Sequence, residues 1–296
     1  MAETHEFSAQ NLFSVKGFVA VVTGGGTGIG LMATQALAAN GAKVYITGRR
    51  MEALENAAKE HQPTGGEGQI IPAGPCDVTK KKDLLHLAEE VGRKEKAIHL
   101  LVCNAGVAGP KAEPENTDAE SLRSRLWDNE DVDDWQKTYQ TNVTAVYFTT
   151  VAFLPLLQAA MVPKGQHEPY TASVVTISSM SGIMRHAQGH FSYNAAKGAT
   201  VHLTKLMSAE FQKAGIRVNS IAPGYFPSEM TAKESDERQK SHVREEKIQE
   251  KGHVPLERPG REIEMGMSVL YLAKNQYVNG EIIAVDGGVL NVLAGR

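Results

Sequence analysis

Cysteine is scarce in this sequence. Its two thiols, Cys76 and Cys103, make no disulfide framework. Each precedes a polar residue at the end of a candidate strand and reads as small buried filler in a reducing compartment. An excess of one charge is missing too. Against 34 acidic residues stand 31 basic ones, and a net charge of −3 gives no field to gather nucleic acid or anionic lipid. No apolar run approaches the ~20 residues of a membrane span. Met1–Gln10 lacks the basic start and apolar stretch of a signal peptide, and Leu293–Arg296 is no peroxisomal address. The expected location is therefore the cytoplasm, with neither nucleic acid nor membrane as partner. No internal repeat, linker or metal-ligand spacing stands out, so no metal is expected. His186 and His190 are candidates for touching a substrate, while His202 reads as a helix-face residue.

What the sequence does have is alternation. Short apolar runs at Phe18–Thr23, Lys43–Thr47, Gln69–Ile71, Ile98–Cys103, Ser173–Ser178, Arg217–Ile221 and Glu281–Asp286 read as strands. Between them, Ile29–Ala39, Met51–His61, a stretch capped by Thr79 and running through Val91, Trp135–Leu157, Ser192–Lys213 and Arg261–Ala273 read as helices. Asn40-Gly41 is a good helix C-cap. This order predicts a Rossmann-type doubly wound α/β fold: a parallel sheet of about seven strands with helices on both faces. The whole chain, 1–296, reads as one domain with its core at about 14–290. Two segments are unusual. One is an acidic insert at 107–134, and the other is a charged, turn-rich segment at 224–258. Within the latter, Lys233–Lys251 reads as an exposed helical lid.

Thr23-Gly24-Gly25-Gly26-Thr27-Gly28-Ile29-Gly30 lies between the first strand and the first long helix. Glycine lets backbone turn tightly and approach a pyrophosphate, and the helix N-terminus beyond it favours an anion. The loop thus predicts a dinucleotide site. Tyr193 and Lys197 lie one helical turn apart and share a face. A phenol with a pKa of ~10 is a poor acid or base at neutral pH, and a nearby ammonium and an oxidised nicotinamide would both lower it.

The spacing of the glycine loop, together with Asn104-Ala105-Gly106 and Tyr193-x-x-x-Lys197, resembles the short-chain dehydrogenase/reductase family over about residues 14–290. Ile221-Ala222-Pro223-Gly224-Tyr225-Phe226-Pro227-Ser228-Glu229-Met230-Thr231 is similar to the matching stretch of rhamnolipid-type 3-oxoacyl-[acyl-carrier-protein] reductases. The resemblance implies that Tyr193 is the acid/base and that Lys197 holds the cofactor ribose and tunes Tyr193. It implies that Ser179, rather than Ser178, holds the substrate oxygen. Asn142 is expected to hold a water that relays protons to Lys197, and mid-helix asparagine is unfavourable by propensity. The implied cofactor contacts are Thr23, Gly24, Gly28, Ile29 and Gly30 in the loop, Asp77 and Val78 at the adenine, and Asn104, Ala105 and Gly106. Tyr193 and Lys197 join them, and Pro223, Gly224 and Ser228 lie on the nicotinamide side. Family members are mostly tetramers, so a homo-oligomer (tetramer or dimer) is expected. The apolar Val289–Leu293 is read as a subunit contact.

The second strand runs into Gly48-Arg49-Arg50. An acid there would bind the ribose hydroxyls of NAD and repel a 2′-phosphate, whereas Arg49 can pair with that phosphate. The expectation is NADP(H) in preference to NAD(H), used to reduce a ketone, 3-oxoacyl or polyketide-like, to a secondary alcohol. Two alternatives stay open: an NAD-dependent alcohol dehydrogenase of the same family, and a non-catalytic dinucleotide sensor. The substrate itself is not legible.

Overall fold

Parallel strands must hide both faces, so they read as apolar runs rather than alternating ones. The first strand, β1 (Val19–Thr23), is buried at all five positions. In chain order there follow β2 (Lys43–Thr47), β3 (Gln69–Pro72), β4 (Leu100–Cys103), β5 (Ala172–Ile177), β6 (Ile216–Pro223) and β7 (Ile282–Val285). All pair in parallel, in the order β3-β2-β1-β4-β5-β6-β7. The seven-stranded Rossmann-like sheet expected from the alternation is thus present. The structure, a computed structural model, describes residues 3–114, 118–162, 170–232 and 234–293. Residues 115–117 of the acidic insert, Lys233 of the charged segment and the last three residues of the C-terminus fall outside that description.

The helices are α1 (Ala9–Phe13), α2 (Gly28–Ala39), α3 (Met51–His61), α4 (Lys81–Lys94), α5 (Ala119–Asn129), α6 (Val132–Tyr139), α7 (Ala145–Ala159), α8 (Phe191–Phe211), α9 (Glu229–Ala232), α10 (Glu245–Gln249), α11 (Glu262–Lys274) and α12 (Val289–Val292). Side chains alternate along β1. Ala20 and Val22 join Leu31 and Leu37 of α2, Leu54 of α3 and Val269 of α11 in one core. Val19 and Val21 join Leu84 of α4, Phe153 of α7 and Met207 of α8 in the other. Each such large side chain contributes about 1.5–3 kcal/mol when buried.

The predicted stop at Asn40-Gly41 has a physical basis. Gly41 takes φ +98°, its N–H donates to Ala38 O, and that of Ala42 donates to Leu37 O, so the last carbonyls of α2 are satisfied. Other expectations need correction. Thr79 does not cap α4. Its hydroxyl donates to Asp77 at 2.7 Å, and the helix starts two residues later behind Lys80. The charged segment is not one helical lid. Glu229–Ala232 and Glu245–Gln249 are short helices separated by a turn, in which Gln239 has φ +61° and Asp236 Oδ1 accepts from the amides of Arg238 and Lys240. The insert holds α5, which buries no side chain and leaves Trp127 77% exposed. Val289 and Leu290, read as a subunit contact, are buried against Met180 and Ile248 of their own chain.

The helix expected at Trp135–Leu157 spans Val132–Ala159 and is interrupted by a π-helical turn at Gln140–Thr144. By length and composition this stretch could cross a membrane. Its apolar residues Val146, Phe153 and Leu157 pack in the core beside β4 and β5, which accounts for its apolarity.

Candidate active site

In an open parallel sheet, the strand order reverses where two neighbouring strands connect to opposite sides, and a crevice opens at their C-terminal ends. Here that place is between β1 and β4. A cleft of about 860 Å³ lies there, running from the glycine loop past the ends of β4 and β5 to the segment after β6.

The glycine loop is shaped for close approach. Gly24 and Gly28 have φ of +64° and +51°. A Cβ on Gly30 would sit 2.0 Å from the Gly24 carbonyl oxygen, and one on Gly28 would lie 3.0 Å from Ser228 Cβ across the cleft. A side chain on Gly28 would intrude on the cradle, and one on Gly30 would push α2 off the Gly24 turn behind it. Thr27, the N-cap of α2, makes no side-chain cap, so the first amides of that helix are left for another acceptor. Glycine-only geometry and uncapped amides facing a long cleft suit a dinucleotide pyrophosphate.

Asn104 ties this loop to the sheet. Its Nδ2 donates to the carbonyls of Thr23 (2.9 Å) and Gly24 (3.1 Å), and the amides of Asn104 and Ala105 both donate to Thr23 Oγ1. Thr23 is buried and spends its hydroxyl on this junction. Thr23, Gly30 and Asn142 therefore lie behind the cleft wall. Gly24, Gly28, Ile29, Arg49, Asp77, Val78, Asn104, Ala105, Gly106, Pro223, Gly224 and Ser228 line it. Burial acts to raise the Asp77 carboxyl, but hydrogen bonds from Thr79 and the charge of Lys80 hold it below its ordinary value. Arg50 reaches over to Glu229 at 2.8 Å, joining the end of β2 to α9, whereas Arg49 is exposed and has no ion-pair partner among the described residues.

Ser179, Tyr193 and Lys197 meet in the middle of the cleft. Ser179 opens a 3-10 turn, Met180–Gly182, that packs so tightly on α8 that a Cβ on Gly182 would stand 2.4 Å from the Lys197 carbonyl carbon. This contact sets Ser179 beside the Tyr193 hydroxyl. Ser178 is committed elsewhere: it donates to Ile221 O at 3.1 Å and accepts from Ser220 at 2.8 Å. Lys197 is 4% exposed, donates to Ile177 O at 2.8 Å and lies 5.7 Å from the centre of the Tyr193 ring.

Burial pulls the Lys197 ammonium down to about 8. Burial also pushes the Tyr193 phenol above its ordinary value, with the Ser179 hydrogen bond opposing. The lowered phenol expected from a neighbouring ammonium is therefore not what the protein groups alone produce, because desolvation acts on both partners.

Asn142 is fully buried in the π turn. Its side chain accepts from the Val107 amide and donates to the carbonyls of Val107 and Thr138, and its own carbonyl accepts from Thr200. A Cβ on Gly106 would lie 2.7 Å from Asn142 Oδ1 and 3.6 Å from Lys197 Nζ, so both side chains flank the same glycine. π turns recur at functional sites because they free backbone groups.

Sequence reasoning missed the far end of the cleft. There Tyr225, Gln188, His253 and Lys251 gather, beside the anticipated His186 and His190. Gln188 has φ +52°. Only the position of Tyr225 in the stretch after β6 hinted at a role. Among the described residues no group of three or more His, Cys, Asp or Glu is placed to hold a metal.

The family model described as short chain dehydrogenase matches residues 18–239. The chain is 40% identical to the short-chain dehydrogenase/reductase PhomF of Diaporthe leptostromiformis, covering 98% of this chain and 97% of that protein. It is 31% identical to the rhamnolipids biosynthesis 3-oxoacyl-[acyl-carrier-protein] reductase of Pseudomonas aeruginosa, covering 93% and 97%. The solved Pseudomonas aeruginosa RhlG/NADP active-site complex superposes with a TM-score of 0.76 at 30% identity, covering 94% of this chain and 98% of that one.

Proposed function

Because the chain belongs to the short-chain dehydrogenase/reductase family and is an oxidoreductase acting on a carbonyl or alcohol carbon, we propose that it reduces a small-molecule ketone to a secondary alcohol with NADPH, Tyr193 serving as general acid. The observation that carries this reading is the meeting of Ser179, Tyr193 and Lys197 in one cleft with the glycine loop.

A nicotinamide dinucleotide held along that loop supplies the hydride. Gly24, Gly28, Ile29 and the first amides of α2 would hold its pyrophosphate, Asp77 and Val78 its adenine, and Lys197 its ribose, with Pro223, Gly224 and Ser228 beside the nicotinamide. Asn104, Ala105 and Gly106 form the wall between, and Thr23, Gly30 and Asn142 act from behind it as positioning residues. Ser179 donates a hydrogen bond to the ketone oxygen, fixing it against the Tyr193 hydroxyl. As negative charge develops on that oxygen, Tyr193 gives up its proton. Burial pushes the phenol up, which keeps it protonated but makes it a weaker acid, so the support for Tyr193 as the donor is its position beside Ser179 and Lys197. Lys197, eased toward neutrality by burial, is poised to pass a proton back to Tyr193.

Three observations support NADP(H) over NAD(H). Gly48 occupies the position an acid would need, Arg49 lines the cleft without an acidic partner among the described residues, and the RhlG neighbour was solved with NADP. An absorbance assay with a ketone panel should give faster turnover with NADPH than with NADH, and Arg49→Asp should reverse the order. Preference for NADH in the unaltered protein would overturn the cofactor reading. Residues 1–296 are read as one catalytic unit, cytoplasmic and homo-oligomeric (a tetramer or dimer). Support for the oligomer is the exposed apolar stripe Ile263, Met267 and Tyr271 on α11.

A further inference from the structure

The cleft continues beyond Tyr193, and its far end is built from different chemistry. Its floor is apolar, formed by Met180, Val243, Ile248 and Leu293, which pack together. Its rim carries a polar cluster. The Tyr225 hydroxyl accepts from Gln188 Nε2 at 2.9 Å and lies 2.9 Å from His253 Nε2. The Lys251 ammonium stands 4.6 Å from the centre of the Tyr225 ring. Lys111 and Lys247 line the same end.

The charges there do not balance. Lys111 is paired with Glu113 at 2.6 Å, and Lys247 donates to the Thr231 carbonyl. Neither Lys247 nor Lys251 has an ion-pair partner among the described residues. Lys251 is depressed first by desolvation, then by the charges of Lys247 and Lys111. His190 and His253 are likewise lowered by desolvation, with Lys251 adding to it. Like charges gathered at a partly desolvated rim repel one another, and a bound anion would relieve that cost. Gln188, the residue held at positive φ, spends its side chain on this cluster.

Building on the proposed ketone reduction, we propose that the substrate is a keto acid. Its apolar body lies on the Met180–Val243–Ile248 floor, and its carboxylate is held at the far rim by Lys251 with the Tyr225–His253 pair. The ketone carbon faces Tyr193 and the carboxylate points away from it, so the anchor fixes which carbonyl is presented. Orientation by a remote charge is one way binding energy is turned into rate.

The test is calorimetry on the protein saturated with oxidised dinucleotide, which cannot reduce a ketone. The probes are benzoylpropionate and its methyl ester. The acid should bind roughly five- to tenfold more tightly than the ester, as expected for one partly desolvated charge pair. Lys251→Gln should shrink that ratio toward one, and Lys251→Gln with Lys247→Gln should abolish it. Equal or tighter binding of the ester, no binding of the acid, or an unchanged ratio in the double variant would overturn the proposal. The reduction reading stands or falls separately, on whether any ketone consumes NADPH.

Discussion

Replacing Lys197 with methionine should make the ligand-free protein more stable while abolishing turnover. The lysine is 4% exposed, and burial takes it from 10.5 to about 8. Each pKa unit is about 1.4 kcal/mol, so holding the charged form in the fold costs about 3 kcal/mol at neutral pH. Methionine keeps the length of the chain and removes the charge. It also strands the Ile177 carbonyl, which now accepts from Nζ at 2.8 Å, at a cost of about 1 kcal/mol. The net gain is about 2 kcal/mol. With roughly 2 cal/mol/K of unfolding entropy per residue, the Tm should rise by about 3 °C. The sign of the pH dependence follows from proton counting. Between about 8 and 10.5 the unfolded chain holds more protons than the folded one, so wild-type stability rises with pH relative to the variant. Urea melts of both proteins should show the full gap at about pH 7 and almost none near pH 9.5. A variant less stable than wild type at neutral pH, or a gap that ignores pH, would refute the reasoning.

The two adjacent serines should differ in turnover more than in stability. Ser179→Ala should lower kcat/KM roughly a hundredfold and, because its hydroxyl accepts from the Ser181 amide at 3.1 Å, cost about 1 kcal/mol in urea melts. Ser178→Ala, which removes the bonds to Ile221 and Ser220, should cost about 1 kcal/mol in urea melts and leave turnover near wild type. Glu264 binds Arg258 at 3.0 and 2.6 Å and accepts from the Arg261 amide, which holds its carboxyl down to about 2. Its side chain is 29% exposed, so after screening Glu264→Gln should cost about 1–2 kcal/mol at neutral pH. Because the folded pKa is depressed, that stability is present above 4.5 and should fade as the pH drops toward about 2; melts of both proteins across that range check it.

Much of this architecture was readable because local signals agree with tertiary demand. β2 and α3 lie where periodicity placed them, and the stop of α2 is built by the Asn40-Gly41 pair that announced it. Where a residue had two uses, the sequence misled. Thr79 offered a cap for α4, yet its hydroxyl serves Asp77. In the segment after β6, charge patterning suggested a helix, but Asp236 and Gln239 form a turn whose side-chain bonds win over helix propensity. The helix α5 buries nothing, so no apolar stripe could reveal it. At the cleft, the glycine loop, Tyr193 and Lys197 were legible from spacing. The distinct employment of Ser178 and Ser179 was not, since it depends on where β6 and the Met180–Gly182 turn come to lie. The far-rim cluster drew Gln188, Tyr225 and the Lys251–His253 stretch from three separate segments, and no spacing rule links them.

Tyr193→Phe tests the central claim most directly. The variant keeps the ring and loses only the proton that the ketone oxygen should receive. Followed at the NADPH absorbance band with a ketone that wild type reduces, it should lose roughly a thousandfold or more in kcat, while its affinity for NADPH stays within about twofold of wild type because the glycine loop is untouched. Turnover close to wild type, with NADPH bound normally, would contradict the account.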